Sequence, residues 1–335
     1  MKTRLLGSIE VSEIGMGCMG FSHGYGQIPP KADSIAAIRA GFDAGCTFFD
    51  TAEAYGPSLL PENRGHNEHL LGKAVADFRD DVVLATKLHL PTEEARADGV
   101  EATLRHHLVS SLQRLHTDRV ELYYLHRVNP DIPVEDVAAG MGTLISEGLI
   151  RGWGLSQVPV SILARAHAVT PVSAVQNIYS MVERDVEKEV IPWCREHDVG
   201  LVAFSPIVSG LLSGQVSTAT QFEKVDDVRN VVPQLSAENR AANQPLVDLL
   251  ASVAAAKGAT SAQVSLAWML HKYPHVVPIP GSKHPGRIVE NLAASEVSFS
   301  AEEFAQLEPA LDAIKVHGHR GFDESDGRSF LNRDQ

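Results

Sequence analysis

Short apolar runs rich in β-branched and aromatic residues alternate with amphipathic stretches along most of the chain, and this alternation constrains the fold more than any other feature. The runs lie at Cys46-Thr47-Phe48-Phe49-Asp50 and at 82–86, 122–126, 152–156, 174–176, 200–204 and 276–280; with one ending at Gly17 they make eight. Helical spacing of apolar residues covers 33–44, 100–115, 134–147 and 183–198. Strands joined through helices pair in parallel, because the connection must cross over the sheet, and such crossovers are right-handed. Eight units of this kind predict an α/β fold, a closed (β/α)8 barrel. The 335 residues suit one such barrel, no composition break divides them, and a single domain over 1–335 is expected. Residues 4–16 read as a hairpin turning at Gly7-Ser8. Asp33 is the expected N-cap of the first helix and Gly45 its stop. The polar segment 213–244 is expected to loop over one face of the barrel, and 317–335 to form a mobile tail.

Asp and Glu outnumber Lys and Arg by 42 to 29, a formal net charge of -13. That balance repels phosphate backbones and anionic lipid, so neither nucleic acid nor membrane is an expected partner, although a local basic patch could hold a small anion. Cys18, Cys46 and Cys194 are scattered, without a C-x-x-C pair, and no apolar run opens or spans the chain. The expectation is a cytoplasmic protein with no disulfide framework and an open oligomeric state. The 15 histidines form no H-E-x-x-H, and no metal site is expected.

Gly15-Met16-Gly17-Cys18-Met19-Gly20 spells G-x-G-x-x-G, the fingerprint of a dinucleotide-binding turn. That turn needs a helix opening on the glycines, so that its N-terminus meets the pyrophosphate. Here Phe21 to Pro30 adds Gly24, Gly26 and a Pro-Pro pair, which makes a loop. The glycines are read as a tight backbone turn at a strand end.

A barrel gathers its chemistry at the C-terminal ends of its strands. Asp50, Lys87 and His126 each follow an apolar run, and Tyr55 lies in the loop just past Asp50. Singly, such residues are usually helix caps, surface groups or structural hydrogen-bond partners. Together they have a chemical logic. A free phenol has a pKa near ~10, too high for an efficient acid at neutral pH. An ammonium about 4 Å away favours the phenolate by on the order of 4 kcal/mol at an effective dielectric near 20, before desolvation offsets it. Asp50 could keep Lys87 charged, and His126 could orient a carbonyl oxygen. The set would protonate an oxygen gaining negative charge, and a hydride donor would complete it.

The motifs Asp50-Thr51-Ala52-Glu53-Ala54-Tyr55-Gly56, Ala85-Thr86-Lys87 and Tyr124-Leu125-His126-Arg127 resemble those of the aldo-keto reductase superfamily. The resemblance runs from about residue 3 to about 312 and takes in Gly152-Trp153-Gly154-Leu155-Ser156, Val175-Gln176-Asn177, Ala203-Phe204-Ser205-Pro206 and Ile279-Pro280-Gly281-Ser282. It implies a TIM barrel, an NADPH cofactor extended across the strand tops, and reduction of small aldehydes or ketones to alcohols. It also implies a catalytic tetrad of Asp50, Tyr55, Lys87 and His126, with Tyr55 as general acid. By the same resemblance Gly17, Cys18 and Met19 border the nicotinamide end, Ser156 and Gln176 hold the carboxamide, Asp50 also binds the cofactor, and Phe204 stacks on the ring beside Ser205 and Pro206. Gly210 and Leu212 line the pyrophosphate path. Ser282, Lys283 and Arg287 take the adenosine 2′-phosphate, Asn291 the adenine and Glu290 the adenosine end, and Gly281 also binds the cofactor. Gln157 stands where many relatives have Asn, and Gly281 where some branches have Lys, so Lys283 could carry that charge. The loop 57–67, with Trp153, Tyr25 and Phe21, is expected to shape the substrate pocket. Two other readings are open: an NADPH-binding regulatory subunit with little turnover, and a barrel isomerase or aldolase using Lys87 as a Schiff base.

Overall fold

The computed structural model describes residues 1–58 and 60–320. Two strands, β1 (Thr3–Leu6) and β2 (Ile9–Ser12), pair antiparallel around Gly7, whose φ of +59° suits the turn. Eight further strands follow: β3 (Met16–Gly17), β4 (Phe48–Asp50), β5 (Val83–Leu88), β6 (Val120–Leu125), β7 (Ile150–Ser156), β8 (Ala174–Ile178), β9 (Gly200–Phe204) and β10 (Val276–Pro278). They pair in parallel in sequence order. Hydrogen bonds from Gly15 N to Pro278 O (3.0 Å) and Gly17 N to Pro280 O (3.4 Å) join the first of them to the last. Helices connect the strands, giving a (β/α)8 fold.

Strand side chains alternate between two layers. Phe48, Val83, Ala85, Leu122, Tyr124, Ala174, Val202 and Val277 fill the barrel interior, and Leu6, Ile9 and Val11 of the hairpin pack beneath them. Their neighbours in sequence, such as Phe49, Leu84, Tyr123, Trp153 and Leu201, pack outward against the helices. The hairpin therefore plugs the N-terminal mouth. Burying Leu6, Ile9 and Val11 is worth about 1.5–3 kcal/mol each. Arg4 ties the plug down, donating to Leu270 O (2.6 Å) and Val276 O (2.7 Å).

The first helix spans Lys31–Asp43, three residues earlier than an Asp33 cap would allow. Pro30 takes the N-cap position, and Asp33 lies in the first turn, where its charge complements the helix dipole. The stop is as expected: Gly45 has φ +92°, Gly45 N bonds to Phe42 O and Cys46 N to Gly41 O, which together close a Schellman motif. The stretch 183–198 divides into a 3-10 turn at Asp185–Glu187 and a helix over Val190–Glu196. Within 213–244 are short turns at Val228–Asn230 and Pro233–Leu235 and a helix at Ala237–Ala242. This segment lies over the C-terminal mouth. Tyr25 pairs with Asp227, Gly24 N donates to Asp226 Oδ2 (2.9 Å) and Gln27 N to Glu223 Oε2 (2.7 Å). Residues 316–320 also cross this face, His317 N bonding Asn243 Oδ1 and Arg320 N bonding Glu183 Oε1. Most of the expected mobile tail, 321–335, lies outside the described residues. Among the described residues no helix is long and apolar enough to cross a membrane.

Candidate active site

The two-residue period of the strands places the polar strand-end residues. Asp50 is two positions past inward Phe48, Lys87 two past Ala85 and His126 two past Tyr124, so all three continue inward rows above the apolar fill. Asp50 and Lys87 are 3% and 0% exposed, Tyr55 and His126 9% each. The structure thus brings together at one mouth the four residues expected from the sequence.

Lys87 Nζ donates to the Asp50 carboxylate, to Thr51 O (2.7 Å) and to the Tyr55 hydroxyl (3.3 Å). These partners use its three donors. The other Asp50 oxygen accepts from Gln176 Nε2 at 2.8 Å. Burial opposes the Lys87 charge, but the Asp50 carboxylate and the phenol raise its pKa above the ordinary lysine value. The ammonium is therefore fixed and protonated, which removes the nucleophilic amine that a Schiff-base mechanism requires. Because the Tyr55 oxygen accepts from Lys87, its own proton is left for another acceptor.

From the sequence, Lys87 is expected to lower the Tyr55 pKa. In the structure burial pushes that phenol above its ordinary value, with Lys87 the main opposing influence and Arg127 a smaller one. Desolvation outweighs the ammonium because the ring is almost wholly enclosed. His126 is driven well below the usual histidine value, first by burial and then by Lys87 and its cationic neighbours, so it is a neutral imidazole. Its ring meets that of Tyr55 edge-on at 5.7 Å, and its Nδ1 is buried with no hydrogen-bond partner among the described residues.

The loop that carries Tyr55 is held from below. Glu53, 5% exposed, receives His107 Nδ1 at 2.9 Å; the same ring reaches Glu94 at 3.0 Å, and Arg114 and Arg64 lie 3.6 and 3.8 Å from Glu53. Thr51 Oγ1 donates to Asn67 Oδ1 (2.6 Å), and Asn67 Nδ2 to Cys18 O (2.8 Å). Gly56 admits no side chain, since a Cβ there would stand 2.0 Å from Asn63 O.

Residues 13–312 match a family model described as the Aldo/keto reductase family. The chain belongs to this family. Among solved structures it is similar to the thermostable aldo-keto reductase Tm1743, in complex with the inhibitor epalrestat: 29% identity over 92% of this chain and 100% of that one, TM-score 0.72. It is also similar to the glycerol dehydrogenase AKR11B4 from Gluconobacter oxydans (25% identity, 93% and 95% covered, TM-score 0.81). An aldo/keto reductase from Klebsiella pneumoniae, in complex with NADP and acetate, matches at 28% identity over 95% and 98%, TM-score 0.71. An oxidoreductase of the aldo-keto reductase family is thereby established.

The other residues expected at a cofactor form a crescent round the same mouth. Gly17 and Gly281 face each other: a Cβ on Gly17 would stand 2.9 Å from Ile279 O, and one on Gly281 3.0 Å from Gly17 O. Cys18 is buried, its N bonded to Asp50 O, and Met19 opens a 3-10 turn. Ser156 ends β7 and accepts from Arg127 Nη1 at 2.9 Å. Phe204 ends β9, half-buried. After it the backbone is strained: Ser205, Val208 and Ser209 have φ of +54°, +51° and +52°, and Gly210 +101°. Such conformations cost about 1–3 kcal/mol each and concentrate where a ligand must be met. Pro206 lies within this run; Leu212 closes it with its side chain in the core, leaving only backbone for a ligand. The lost Cβ atoms and the strained backbone fit a dinucleotide laid against the strand tops.

The basic end is arranged differently from a simple anion cup. Lys283 Nζ donates to Tyr25 O (2.8 Å) and Gln27 O (2.7 Å), bracing the 22–28 loop. Ser282 Oγ accepts from His284 N (3.1 Å), Arg287 is exposed, and Asn291 is buried. Glu290 accepts from Thr260 Oγ1 at 3.0 Å. Gln157, at φ +56°, accepts from Ile178 N and so is tied to β8. Two pocket expectations are corrected. Trp153 is 0% exposed on the outward row and donates to Thr170 O, and Phe21 is buried in the same outer core. Three residues at the mouth escaped the sequence reading: His23, His89 and Arg127. His89 carried a signal, two positions past Lys87 on the inward row. Arg127 carried none, since it is off that row and turns back to bond His126 O and Ser156 Oγ.

Proposed function

We propose that this chain reduces aldehydes or ketones to alcohols with NADPH, Tyr55 supplying the proton. The observation that carries the reading is the Lys87 ammonium, held by Asp50 and Thr51 while it donates to the Tyr55 oxygen. A reduced nicotinamide, when bound, supplies the hydride. Gly17, Ser156, Gln176 and Phe204 would hold its ring end, the Ser205–Leu212 backbone its pyrophosphate, and Ser282, Lys283, Arg287, Glu290 and Asn291 its adenosine end. That basic end favours a 2′-phosphate, hence NADPH over NADH.

The residues then act in order. Neutral His126 orients the carbonyl oxygen toward Tyr55. As negative charge develops on that oxygen, the Tyr55 O–H donates to it and transfers its proton. The phenolate left behind is stabilised by the Lys87 ammonium, which neither moves nor loses its proton. The high phenol pKa of the enclosed site keeps Tyr55 protonated before the reaction, as an acid must be.

Tyr55→Phe tests the assignment directly. Oxidation of NADPH by a panel of aldehydes and diketones, followed by absorbance, is expected to slow by about 10²–10⁴-fold, while cofactor binding persists. Equal rates in the two proteins would remove Tyr55 from the role. Tight NADPH binding with no turnover on any carbonyl would favour a regulatory protein instead.

A further inference from the structure

The loop from Thr51 to Gly56 carries Tyr55, and it has an anchor that proton transfer does not use. Its backbone wraps the end of β5: Glu53 N donates to Lys87 O (3.0 Å), while Glu53 O and Tyr55 O accept from Gly65 N (2.7 Å) and Asn67 N (3.1 Å). The Glu53 side chain meets His107, on the helix Val100–Leu115. Both Glu53 oxygens lie 2.9 Å from His107 Nδ1, and Nε2 of the same ring lies 3.0 Å from Glu94 Oε2, on the helix Thr92–Asp98.

Ionised carboxylates offer only lone pairs, so both ring nitrogens must carry protons and His107 is an imidazolium. Its pKa is raised accordingly, first by the hydrogen bond to Glu53, with burial opposing and Glu94 adding to the rise. The groups packed around this ring are known. Arg114 bonds Glu68 and lies 3.6 Å from Glu53, and the half-exposed Arg64 lies 3.8 Å from it. His106 sets its ring edge-on to His107 at 5.7 Å. Burial keeps the Tyr123 phenol of β6 protonated and His89, past Lys87, neutral. On the side of the helix Val134–Ser146, Arg105 takes Glu147.

We propose that His107 is a positioning residue for Tyr55: its doubly bonded imidazolium clamps Glu53, and with it the loop 51–56, and loss of one ring proton slackens that loop and slows proton delivery. This deepens the reductase reading and rests on it. A neutral ring keeps one N–H. Donated to Glu53, it makes an ordinary bond in place of a charge-assisted one, roughly half as strong, and the half-exposed Glu94 turns to water. The clamp is complete while the imidazolium persists and weakens as pH rises through its raised pKa. Burial raises the Tyr55 phenol above its own ordinary value, so its proton is lost in a separate step at higher pH.

The test follows NADPH oxidation in a single turnover across pH, with the carbonyl that reacts fastest in the panel above, in wild type, His107→Gln and Glu94→Gln. In wild type the rate is expected to fall by about threefold to tenfold in a step above the ordinary histidine value and below the Tyr55 step. His107→Gln has no charge to lose. It should lack that step, run at the lower rate throughout, and bind NADPH within about twofold of wild type. Glu94→Gln takes one anion from the ring at a half-exposed position and should move the step to lower pH. A wild type without the step, a step that persists in His107→Gln, or one that Glu94→Gln leaves in place overturns the assignment while leaving the reductase intact. If His107→Gln does not fold, Glu94→Gln decides. Should no carbonyl turn over, the reductase reading fails instead, and amide hydrogen exchange of residues 51–56, corrected for its intrinsic pH dependence, decides the clamp alone. Protection that drops across the His107 transition, and at lower pH in Glu94→Gln, supports the clamp; protection unchanged across that transition refutes it.

Discussion

The two mouths of the barrel are closed by opposite means. At the N-terminal mouth a hairpin inserts Leu6, Ile9 and Val11, and a buried ion pair, Arg4 with Glu13 at 3.9 Å, lies beside hydrogen bonds to backbone carbonyls. At the C-terminal mouth the same inward rows end in Asp50, Lys87 and His126, with Glu53, His107 and Arg127 around them. Apolar closure requires only fit, and it is where the fold gains stability. Charged closure makes every group dependent on its neighbour, because a buried ion left alone is expensive. The barrel therefore separates what keeps it folded from what lets it react.

Removing one partner from the charged mouth has the largest expected effect. Lys87→Met leaves Asp50 buried and unpaired, and chemical denaturation should show a loss of about 3–5 kcal/mol together with loss of turnover. The double variant Asp50→Asn, Lys87→Met should recover most of the stability and none of the turnover. If the single and double variants are equally unstable, the pair is not what the mouth depends on. At the other mouth Leu6→Ala should cost about 2–5 kcal/mol by opening a cavity, yet leave kcat within twofold well below the melting temperature. A large fall in kcat there would mean that the two ends are coupled.

The smallest effect sharpens the contrast through pH. Burial raises the Glu183 carboxyl to about 7, although it accepts from Arg320 N and Gln234 Nε2. A carboxyl raised in the folded state favours folding at low pH, and that contribution fades as pH rises from its unfolded value to about 7. Glu183→Gln keeps an acceptor without the charge. It should match wild type near pH 5 and exceed it at pH 8 by on the order of 2 kcal/mol, read as melting temperature across pH. A gain of equal size at both values would assign it to something other than ionisation.

How much of this was legible in the sequence follows from the period of a strand. Phe48 and Asp50, Ala85 and Lys87, or Tyr124 and His126 are each two apart, and alternation alone places the second of each pair inward above the first. The same rule shows why Trp153 is outside: Gly152 and Gly154 share its strand's inward row with Ser156. The rest depends on loops, whose paths local pattern does not set. The spacing round Lys283 does not show that the 22–28 loop comes within reach and presents two carbonyls to its ammonium. Glu53 is one residue in a short motif until His107, far along the chain, arrives beneath it. The direction of the Tyr55 shift was missed for a related reason, since spacing reports a neighbouring charge but not how completely a ring is enclosed.

The stitching of Arg4 to residues 270–276 has a bearing on how the chain is made. The hairpin leaves the ribosome ahead of the carbonyls that anchor it and of the edge that Gly15 and Gly17 must meet, which emerge more than two hundred residues later. Vectorial synthesis can assemble the intervening βα units in order, but the seam between the first barrel strand and the last waits for β10 to emerge. Until then Leu6, Ile9 and Val11 lack the closed barrel floor that buries them.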